Sequence, residues 1–350
     1  MQQINLFQQS SELEPLHIEN RRYLGSKSRM LDFIDKTIQP YMNDIKSVAD
    51  IFAGTGVVSD FFSRKYHTKL LINDILHSNY VSYITWFDNH QVSLDKIKKY
   101  LIQLNNLDSE NVKGYVTQNF GGKYFSVENS HKIDAIREQI EKYNDINYRE
   151  KAFLLTSLLY AMDGVANTVG HYDAYLKQRQ VLKPLELKLP MVQTDLQDNQ
   201  IYRENANLLV RNIKADLVYI DPPYNSRQYG DAYHLLENII RWHKPKVVGV
   251  AKKMENREDV KSKYSTRKAP EAFEDLIQHI QAKYILVSYN NMAKKGNSRS
   301  NAKISNQEII DILTRKGKVE IFNTPFQPFS SGKSHIINHK ELLYLCKVKN

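Results

Sequence analysis

The fold is decided by a stretch in the first quarter of the chain, Asp50-Ile51-Phe52-Ala53-Gly54-Thr55-Gly56. The apolar run that leads into it, residues 46–52, predicts a β-strand, and the glycines end that strand. Residues 57–66 then repeat apolar side chains at the helical period, and residues 69–74 predict a second strand. A strand, a glycine turn, a helix and another strand in this order predict an α/β fold with a parallel sheet.

The glycine turn also suggests a ligand. At Gly54 and Gly56 a bound molecule can approach the backbone N–H groups without meeting a Cβ atom. Turns of this kind bind NAD, FAD or S-adenosylmethionine, and sometimes nothing, so the turn alone leaves the cofactor open. Asp74 ends the next strand, where a carboxylate can accept ribose hydroxyls or can cap the following helix, and the two roles are compatible.

Further strands are predicted downstream. Residues 215–221 and 283–289 are short apolar runs that fit buried strands of the same sheet. Residues 319–322 and 342–348 are expected to complete the sheet as a hairpin.

Two segments break the alternation of strands and helices. Residues 87–200 contain amphipathic helical patterns at 130–143 and 149–162 without strands between them, which predicts an inserted, mainly helical module. Residues 254–268 are charged and lack apolar periodicity, which predicts a solvated, mobile loop.

The most specific motif is Asp221-Pro222-Pro223-Tyr224, at the carboxyl end of a predicted strand, where open α/β sheets bind ligands. The lone pair of an exocyclic amino group is delocalised into its base. A carboxylate and a backbone carbonyl that accept the two N–H groups would draw this nitrogen towards tetrahedral geometry, and Asp221 and Pro222 supply these acceptors. Two prolines stiffen the backbone, and Tyr224 offers a ring on which a flipped base could stack.

Composition narrows the partners and the compartment. Lysine and arginine number 49 against 39 acidic residues, and the net charge of +10 favours a polyanionic partner. The single cysteine, Cys346, argues against disulfides and a cysteine zinc cluster, and no histidines stand at metal-ligand spacing, so we expect no catalytic metal. Without a signal sequence or a membrane-spanning apolar run, we expect a cytoplasmic protein that binds no membrane.

The motifs together resemble a known family. Asp221-Pro222-Pro223-Tyr224 preceded by Phe52-Ala53-Gly54-Thr55-Gly56 resembles the amino-group DNA methyltransferases, and Arg21-Arg22-Tyr23-Leu24-Gly25-Ser26-Lys27 is similar to the N-terminal segment of the Dam-like (D12, or alpha) class. The resemblance implies a Rossmann-like sheet with an inserted target-recognition module. It implies S-adenosyl-L-methionine as cofactor, double-stranded DNA as partner, and N6 methylation of adenine. A restriction endonuclease that acts separately is a possible companion.

The resemblance also implies a division of the chain and roles for residues. A polar arm (1–19) would precede the cofactor-binding half (20–86), the target-recognition module (87–200) and the catalytic half (201–350). Cofactor contacts would come from a set of residues in the two N-terminal motifs and at strand ends: Tyr23, Lys27, Phe52, Gly54, Gly56, Asp74, Asn205 and Asp221. Asn205 stands where the family usually has an acidic residue, although an amide can also contact adenine.

DNA contacts are expected from polar and aromatic residues in two segments: Arg227, Tyr229, His171, Tyr172 and Lys177. Arg227 could bind a phosphate or pair with a nearby carboxylate. Other functions stay open. Methylation of cytosine N4 or of RNA is one, since related motifs with Ser or Asn in the first position often serve it. A dinucleotide-dependent oxidoreductase and a DNA-binding module without catalysis are the others. The oxidoreductase would leave Asp221 and its neighbours without a use, and the binding module would leave the glycine turn and Asp74 unexplained.

Overall fold

A computed structural model describes residues 13–178, 183–291, 302–325 and 340–349. Its centre is a seven-stranded sheet with helices on both faces. Residues 1–12 of the predicted N-terminal arm lie outside the described residues.

The strands in the described residues are β1 (Pro15–Leu16), β2 (Ser47–Asp50), β3 (Lys69–Asn73), β4 (Leu189–Pro190), β5 (Gln200–Tyr202), β6 (Leu217–Ile220), β7 (Val247–Val248), β8 (Lys253–Met254), β9 (Tyr284–Asn290), β10 (Gly317–Pro325) and β11 (Lys340–Val348). The α-helices are α1 (Leu31–Ile38), α2 (Val57–Tyr66), α3 (His77–Phe87), α4 (Leu94–Asn105), α5 (Tyr115–Phe120), α6 (Val127–Lys142), α7 (Tyr148–Val165), α8 (Ala206–Leu209), α9 (Tyr229–Ala232), α10 (His234–Arg241), α11 (Ala269–His279) and α12 (Asn306–Lys316).

The central sheet has the strand order β10-β11-β9-β6-β2-β3-β5. The five strands from β9 to β5 are parallel, whereas β11 pairs antiparallel with β9 and with β10. The expected α/β class and the C-terminal hairpin are therefore confirmed. From β2 the chain moves outward to β3 and β5 and then returns to β6 on the other side of β2, so the carboxyl ends of β2 and β6 form the switch point where such sheets bind ligands.

Side chains alternate between two hydrophobic cores, one on each face of the sheet. Val48 of β2 and Leu217 of β6 belong to the first core, with residues of α2, α3, α7 and α10. Ala49 and Val218, the next residue in each strand, belong to the second core, with residues of α8, α11 and α12. This alternation is what a strand buried on both faces requires.

The helices begin where the sequence offers caps. Asn147 and Glu150 form a reciprocal capping box at the start of α7, and Ser305 and Glu308 do the same at α12. The Ser126 hydroxyl accepts the Asn129 N–H at the start of α6. The expected helices 130–143 and 149–162 are confirmed in α6 and α7.

The segment 87–200 adds α4 to α7 and the short strand β4 to the fold. Ile133 of α6 and Phe153 of α7 belong to the same hydrophobic core as Val48 of the central sheet. β4 pairs with β1, so residues 15–16 of the N-terminal arm are built into the structure. The segment therefore shares its core with the sheet, and its role as a recognition module stays a prediction.

The charged residues of 254–268 are mostly exposed, as predicted, but the segment is more ordered than a solvated loop. Its mobility stays a prediction. Short 3-10 helices at 258–260 and 263–265 order this segment, and Val260 and Tyr264 are buried. The Tyr264 hydroxyl donates to Asn207 Oδ1 over 2.9 Å. Two isolated apolar residues anchor the segment without producing a periodic pattern, which is why the sequence did not reveal it.

Within the described ranges, no helix is long and apolar enough to cross a membrane. The same residues contain no group of three or more His, Cys, Asp or Glu side chains that could hold a metal ion.

Candidate cofactor and base site

A cavity of about 490 Å³ opens at the switch point of the sheet. Its wall includes nine of the residues that the sequence predicted for the site: Tyr23, Lys27, Phe52, Gly54, Asp74, Asn205, Asp221, Pro223 and Tyr229. The structure thus brings together side chains that lie more than 200 positions apart in the chain. Cavities of this size suit cofactors and small ligands.

The glycine turn shapes one wall of the cavity. Gly54 and Gly56 adopt φ angles of +57° and +85°, a left-handed conformation that glycine takes without strain. A Cβ at Gly54 would lie 3.2 Å from Cε1 of Tyr23, so glycine is needed for this close approach. Gly56 does not line the cavity; it packs against Phe87 and Tyr83 and starts α2. Gly56 therefore contributes to packing beneath the turn and not to the cavity wall.

Asp74 joins the turn to the end of β3. Its Oδ2 accepts the Gly54 N–H over 3.1 Å, and its Oδ1 accepts the Leu76 N–H over 2.8 Å just before α3. Burial raises the pKa of Asp74 to about 6, although these backbone N–H groups oppose the rise. The two roles weighed from the sequence are compatible here, because Asp74 braces the backbone while it lines the cavity.

Tyr23 is held by residues that the sequence reading missed. Its ring stacks on Tyr233 at a centroid distance of 4.5 Å, and its hydroxyl accepts from Asn79 Nδ2 over 3.3 Å. The Arg21 guanidinium lies 5.2 Å from the ring centroid and donates to Asn79 Oδ1 over 2.6 Å. Asn79 belongs to α3 and Tyr233 directly precedes α10, and no local pattern in the sequence linked these two residues to Tyr23.

Asp50 is a second residue that the sequence reading did not single out. It ends β2 beside the cavity and is only 1% exposed. Its Oδ2 accepts from the Ser59 hydroxyl over 2.8 Å, and its Oδ1 is buried without a hydrogen-bond partner among the described residues. Burial raises the pKa of Asp50 to about 7. A buried carboxylate of this kind costs stability and suits a ligand that carries positive charge.

We expect Asp50→Asn to stabilise the protein without cofactor at pH 8, by at most about 4 kcal/mol. The folded-state pKa of about 7 lies above the value of 3.8 in a free aspartate, so the folded protein binds the extra proton between these values. The contribution of Asp50 to stability is therefore complete below pH 4 and is lost as the pH rises to about 7. Urea unfolding of both proteins at pH 5 and pH 8 measures this difference.

The exposed carboxyl of Asp198 provides the control, because Asp198→Asn should leave the pH dependence unchanged. If Asp50→Asn and the wild type have the same free energy of unfolding at both pH values, burial of the Asp50 carboxylate does not destabilise the protein.

Lys27 contacts Asp221 directly. The two side chains are largely buried, and Lys27 Nζ lies 2.8 Å from Asp221 Oδ2. Burial alone would lower the pKa of Lys27, but the negative charges of Asp221 and Glu341 outweigh it and raise this pKa. Burial also raises the pKa of Asp221, and Lys27 opposes that rise. At 2.8 Å and neutral pH we treat the two groups as an ion pair, because each one is the main charge partner of the other.

Asp221-Pro222-Pro223-Tyr224, which we name the proline motif, follows β6 directly. Pro222 is buried, Pro223 lines the cavity, and the Tyr224 ring meets Tyr289 edge to face at 6.2 Å. The Tyr224 carbonyl accepts the backbone N–H of Lys303 over 2.8 Å, which fixes the end of the motif. Asp221 is thus presented to the cavity from a rigid backbone.

The residues expected to contact DNA fall into three groups. Tyr229 lines the cavity, its ring 5.5 Å from that of Tyr23, which places it nearer to the cofactor residues than to the surface. Lys177 is exposed and His171 is partly buried. The expectation for Tyr172 is corrected, because this residue is 1% exposed and its hydroxyl donates to Asp163 in the core, so its ring has no surface to offer.

Arg227 lies at the surface and pairs with a nearby carboxylate, which is one of the two partners that the sequence analysis allowed. Its Nε lies 3.4 Å from Asp173 Oδ2, and 41% of its side chain is exposed. Lys253 Nζ contacts the other oxygen of Asp173 at 3.0 Å. Exposed ion pairs are weak, so Arg227 can exchange this partner for a phosphate at little cost.

The fold and the cavity describe an α/β protein with a ligand-sized cavity at the switch point of its sheet. The chain belongs to the D12 class N6 adenine-specific DNA methyltransferase family, whose model matches residues 23–298. The family expected from the motifs is confirmed.

Curated relatives carry related names. The modification methylase StsI of Streptococcus sanguinis is 35% identical over 93% of this chain and 51% of that enzyme. The type II methyltransferase M.NlaIII of Neisseria lactamica is 34% identical over 91% of this chain and 95% of that enzyme. The type II methyltransferase M.FokI of Planomicrobium okeanokoites is 33% identical over 91% of this chain and 50% of that enzyme. The chain spans about half the length of the StsI and FokI enzymes and nearly all of M.NlaIII.

Proposed function

We propose that the protein transfers a methyl group from S-adenosyl-L-methionine to the N6 amino group of an adenine that is flipped out of double-stranded DNA. One observation carries the proposal: Asp221 lines the same cavity as the glycine turn and Asp74. Cofactor and amino group must meet within a few ångströms for transfer, and a shared cavity allows that contact.

The residues present fit this cofactor. Gly54 leaves room at the turn that a Cβ would fill, and Asp74 offers a carboxylate to ribose hydroxyls. Asn205 would meet the adenine end, since it lines the cavity at the start of α8. Burial raises the pKa of Asp50 to about 7, and a cofactor that carries a sulfonium and an ammonium group would favour its ionised form. When bound, the cofactor supplies an electrophilic methyl group, so no side chain has to act as the nucleophile.

The residues of this chain prepare the amino group. Asp221 would accept one N–H of the target, and the Pro222 carbonyl would accept the other, so that the nitrogen lone pair becomes available for attack. Lys27 holds the Asp221 carboxylate in place over 2.8 Å. For Lys27, the predicted contact with the cofactor carboxylate remains a proposal, because a three-donor ammonium can serve both acceptors.

DNA would approach from the side of the proline motif. Flipping is required because the N6 atom of adenine cannot be reached inside the duplex, and the Tyr224 ring would stack on the extruded base. Arg227, His171 and Lys177 would contact the sugar-phosphate backbone. The net charge of +10 supports binding to a polyanion.

We also propose that the protein is the modification enzyme of a restriction-modification system. The names of the relatives support this, since StsI and M.NlaIII are called modification methylase and type II methyltransferase. A cognate endonuclease would then act as a separate protein, and both would work in the cytoplasm.

Incubation with labelled S-adenosylmethionine and double-stranded DNA, followed by nucleoside analysis, tests the proposal. We expect labelled N6-methyladenine as the product. N4-methylcytosine as the sole product would replace adenine by cytosine as the target. Tight binding of NAD without any binding of S-adenosylmethionine would favour an oxidoreductase and overturn the proposal.

A further inference from the structure

One wall of the cavity is formed by residues 258–268, which we name the wall segment. Six of its residues face the cavity: Val260, Lys261, Ser262, Lys263, Tyr264 and Lys268. The segment belongs to neither the glycine turn nor the proline motif. What holds it against the cavity therefore decides how tightly a ligand can be enclosed.

Tyr264, in the middle of the wall segment, fixes the segment to neighbouring parts of the cavity wall. The Tyr264 hydroxyl donates to Asn207 Oδ1 over 2.9 Å and approaches the Ala272 carbonyl at 3.2 Å. The Tyr264 ring meets Phe52 of the glycine turn edge to face at 5.0 Å. Tyr264 thus ties the segment to α8, α11 and the turn.

Two residues before Tyr264, the segment is also held by the side chain of Gln228. Gln228 Nε2 donates to the Ser262 carbonyl over 2.9 Å, and Gln228 Oε1 accepts the Ser262 N–H over 2.8 Å. A side-chain amide here pairs with both backbone groups of one residue, as a neighbouring strand would. The Ser265 hydroxyl adds a bond to the Arg227 carbonyl over 2.9 Å.

Gln228 lies in the loop that connects the proposed DNA surface to the cavity. Gln228 stands between Arg227, which lies at the proposed DNA surface, and Tyr229, which lines the cavity. Behind it, Gly230 packs so closely on Val260 that a Cβ there would lie 2.5 Å from Val260 Cγ2. The loop that follows the proline motif therefore packs directly against the wall segment.

We propose that Gln228 is a positioning residue that clamps the wall segment over the cofactor cavity through its two bonds to Ser262. The inference rests on the proposed function, in that the enclosed ligand is the cofactor. Gln228 itself touches no reacting atom; it acts through the wall segment. Loss of the clamp weakens enclosure, so it acts on cofactor affinity more than on the chemical step.

Two variants separate hydrogen bonding from packing. Gln228→Ala removes the side chain, whereas Gln228→Met keeps its length and volume and removes both bonds. We expect both variants to raise the Kd for S-adenosylhomocysteine, measured by titration calorimetry, about tenfold, as the loss of two hydrogen bonds implies. In methylation assays KM for the cofactor should rise by a similar factor with kcat changed less than about threefold. Gln278→Ala, an exposed glutamine on α11, is the matched control.

Limited trypsin digestion gives a readout that needs neither ligand nor activity. The wall segment holds four trypsin sites, Lys261, Lys263, Arg267 and Lys268. Release of the clamp should speed cleavage there several-fold in both Gln228 variants, and Ser265→Ala should give a smaller increase. Retained melting temperatures show that the fold persists.

The outcomes distinguish the two proposals. A Gln228→Met protein that binds S-adenosylhomocysteine as the wild type does, and is cleaved at the same rate, overturns the clamp. A wild-type protein that binds neither S-adenosylhomocysteine nor S-adenosylmethionine contradicts the proposed function instead. In that case the cleavage rates alone decide whether Gln228 positions the wall segment.

Discussion

Replacement of Asp221 by alanine is expected to lower kcat/KM for DNA methylation by about 10²–10³-fold, as loss of a preorganised group at a reacting centre does. Asp221 is a carboxylate in the cavity that can accept an N–H of the target amino group. Water that fills the vacated space is not preorganised and cannot replace it. Filter-binding assays with labelled S-adenosylmethionine and DNA measure the loss.

The fold should survive this change. Asp221 is partly exposed, and its removal leaves Lys27 with the negative charge of Glu341, which also acts on Lys27 in the native protein. Circular dichroism and the melting temperature check this, and Asp198→Ala, at an exposed carboxylate, serves as control. An Asp221→Ala enzyme with more than a third of the wild-type activity would remove Asp221 from the mechanism.

The sequence predicted most of the sheet because its strands carry their own signals. The apolar runs at 46–52, 215–221 and 342–348 match β2, β6 and β11. Buried strands read as continuous apolar stretches, and the turns between them are marked by Gly and Pro. The small strands β7 and β8, two residues each, have no such pattern and were missed.

The site was predictable where one motif supplies the whole local geometry. Gly54 and Asp221 sit in strand-end motifs, and both face the cavity as expected. Partners from distant parts of the chain were not predictable, because Asn79 in α3 and Tyr233 just before α10 reach Tyr23 only through tertiary packing. Tyr172 shows the opposite error, since a polar, aromatic stretch suggested a surface that tertiary packing had buried.

Replacement of Asp74 by alanine is expected to raise the Kd for S-adenosylhomocysteine by at least about 10²-fold, because two ribose hydroxyls lose a charged acceptor. The backbone N–H groups of Gly54 and Leu76 also lose their partner, which loosens the turn. Asp74→Asn separates these effects, since the amide oxygen can still accept one backbone N–H. Calorimetric titration of all three proteins at pH 8 gives the comparison, and equal affinities would exclude Asp74 from cofactor binding.

The pH dependence of cofactor binding follows from the same carboxyl group. Burial raises the pKa of Asp74 to about 6, so the group is protonated at pH 5 and ionised at pH 8. Only the ionised form accepts hydrogen bonds from both hydroxyls, so affinity should rise between pH 5 and pH 7 in the wild type, and Asp74→Asn should remove this part of the rise. Asp50 titrates at about pH 7. Titrations of Asp74→Asn in an Asp50→Asn background remove the contribution of Asp50 to the pH dependence. If the affinity for S-adenosylhomocysteine still rises with pH when both carboxyls are replaced, the pH dependence belongs to another group.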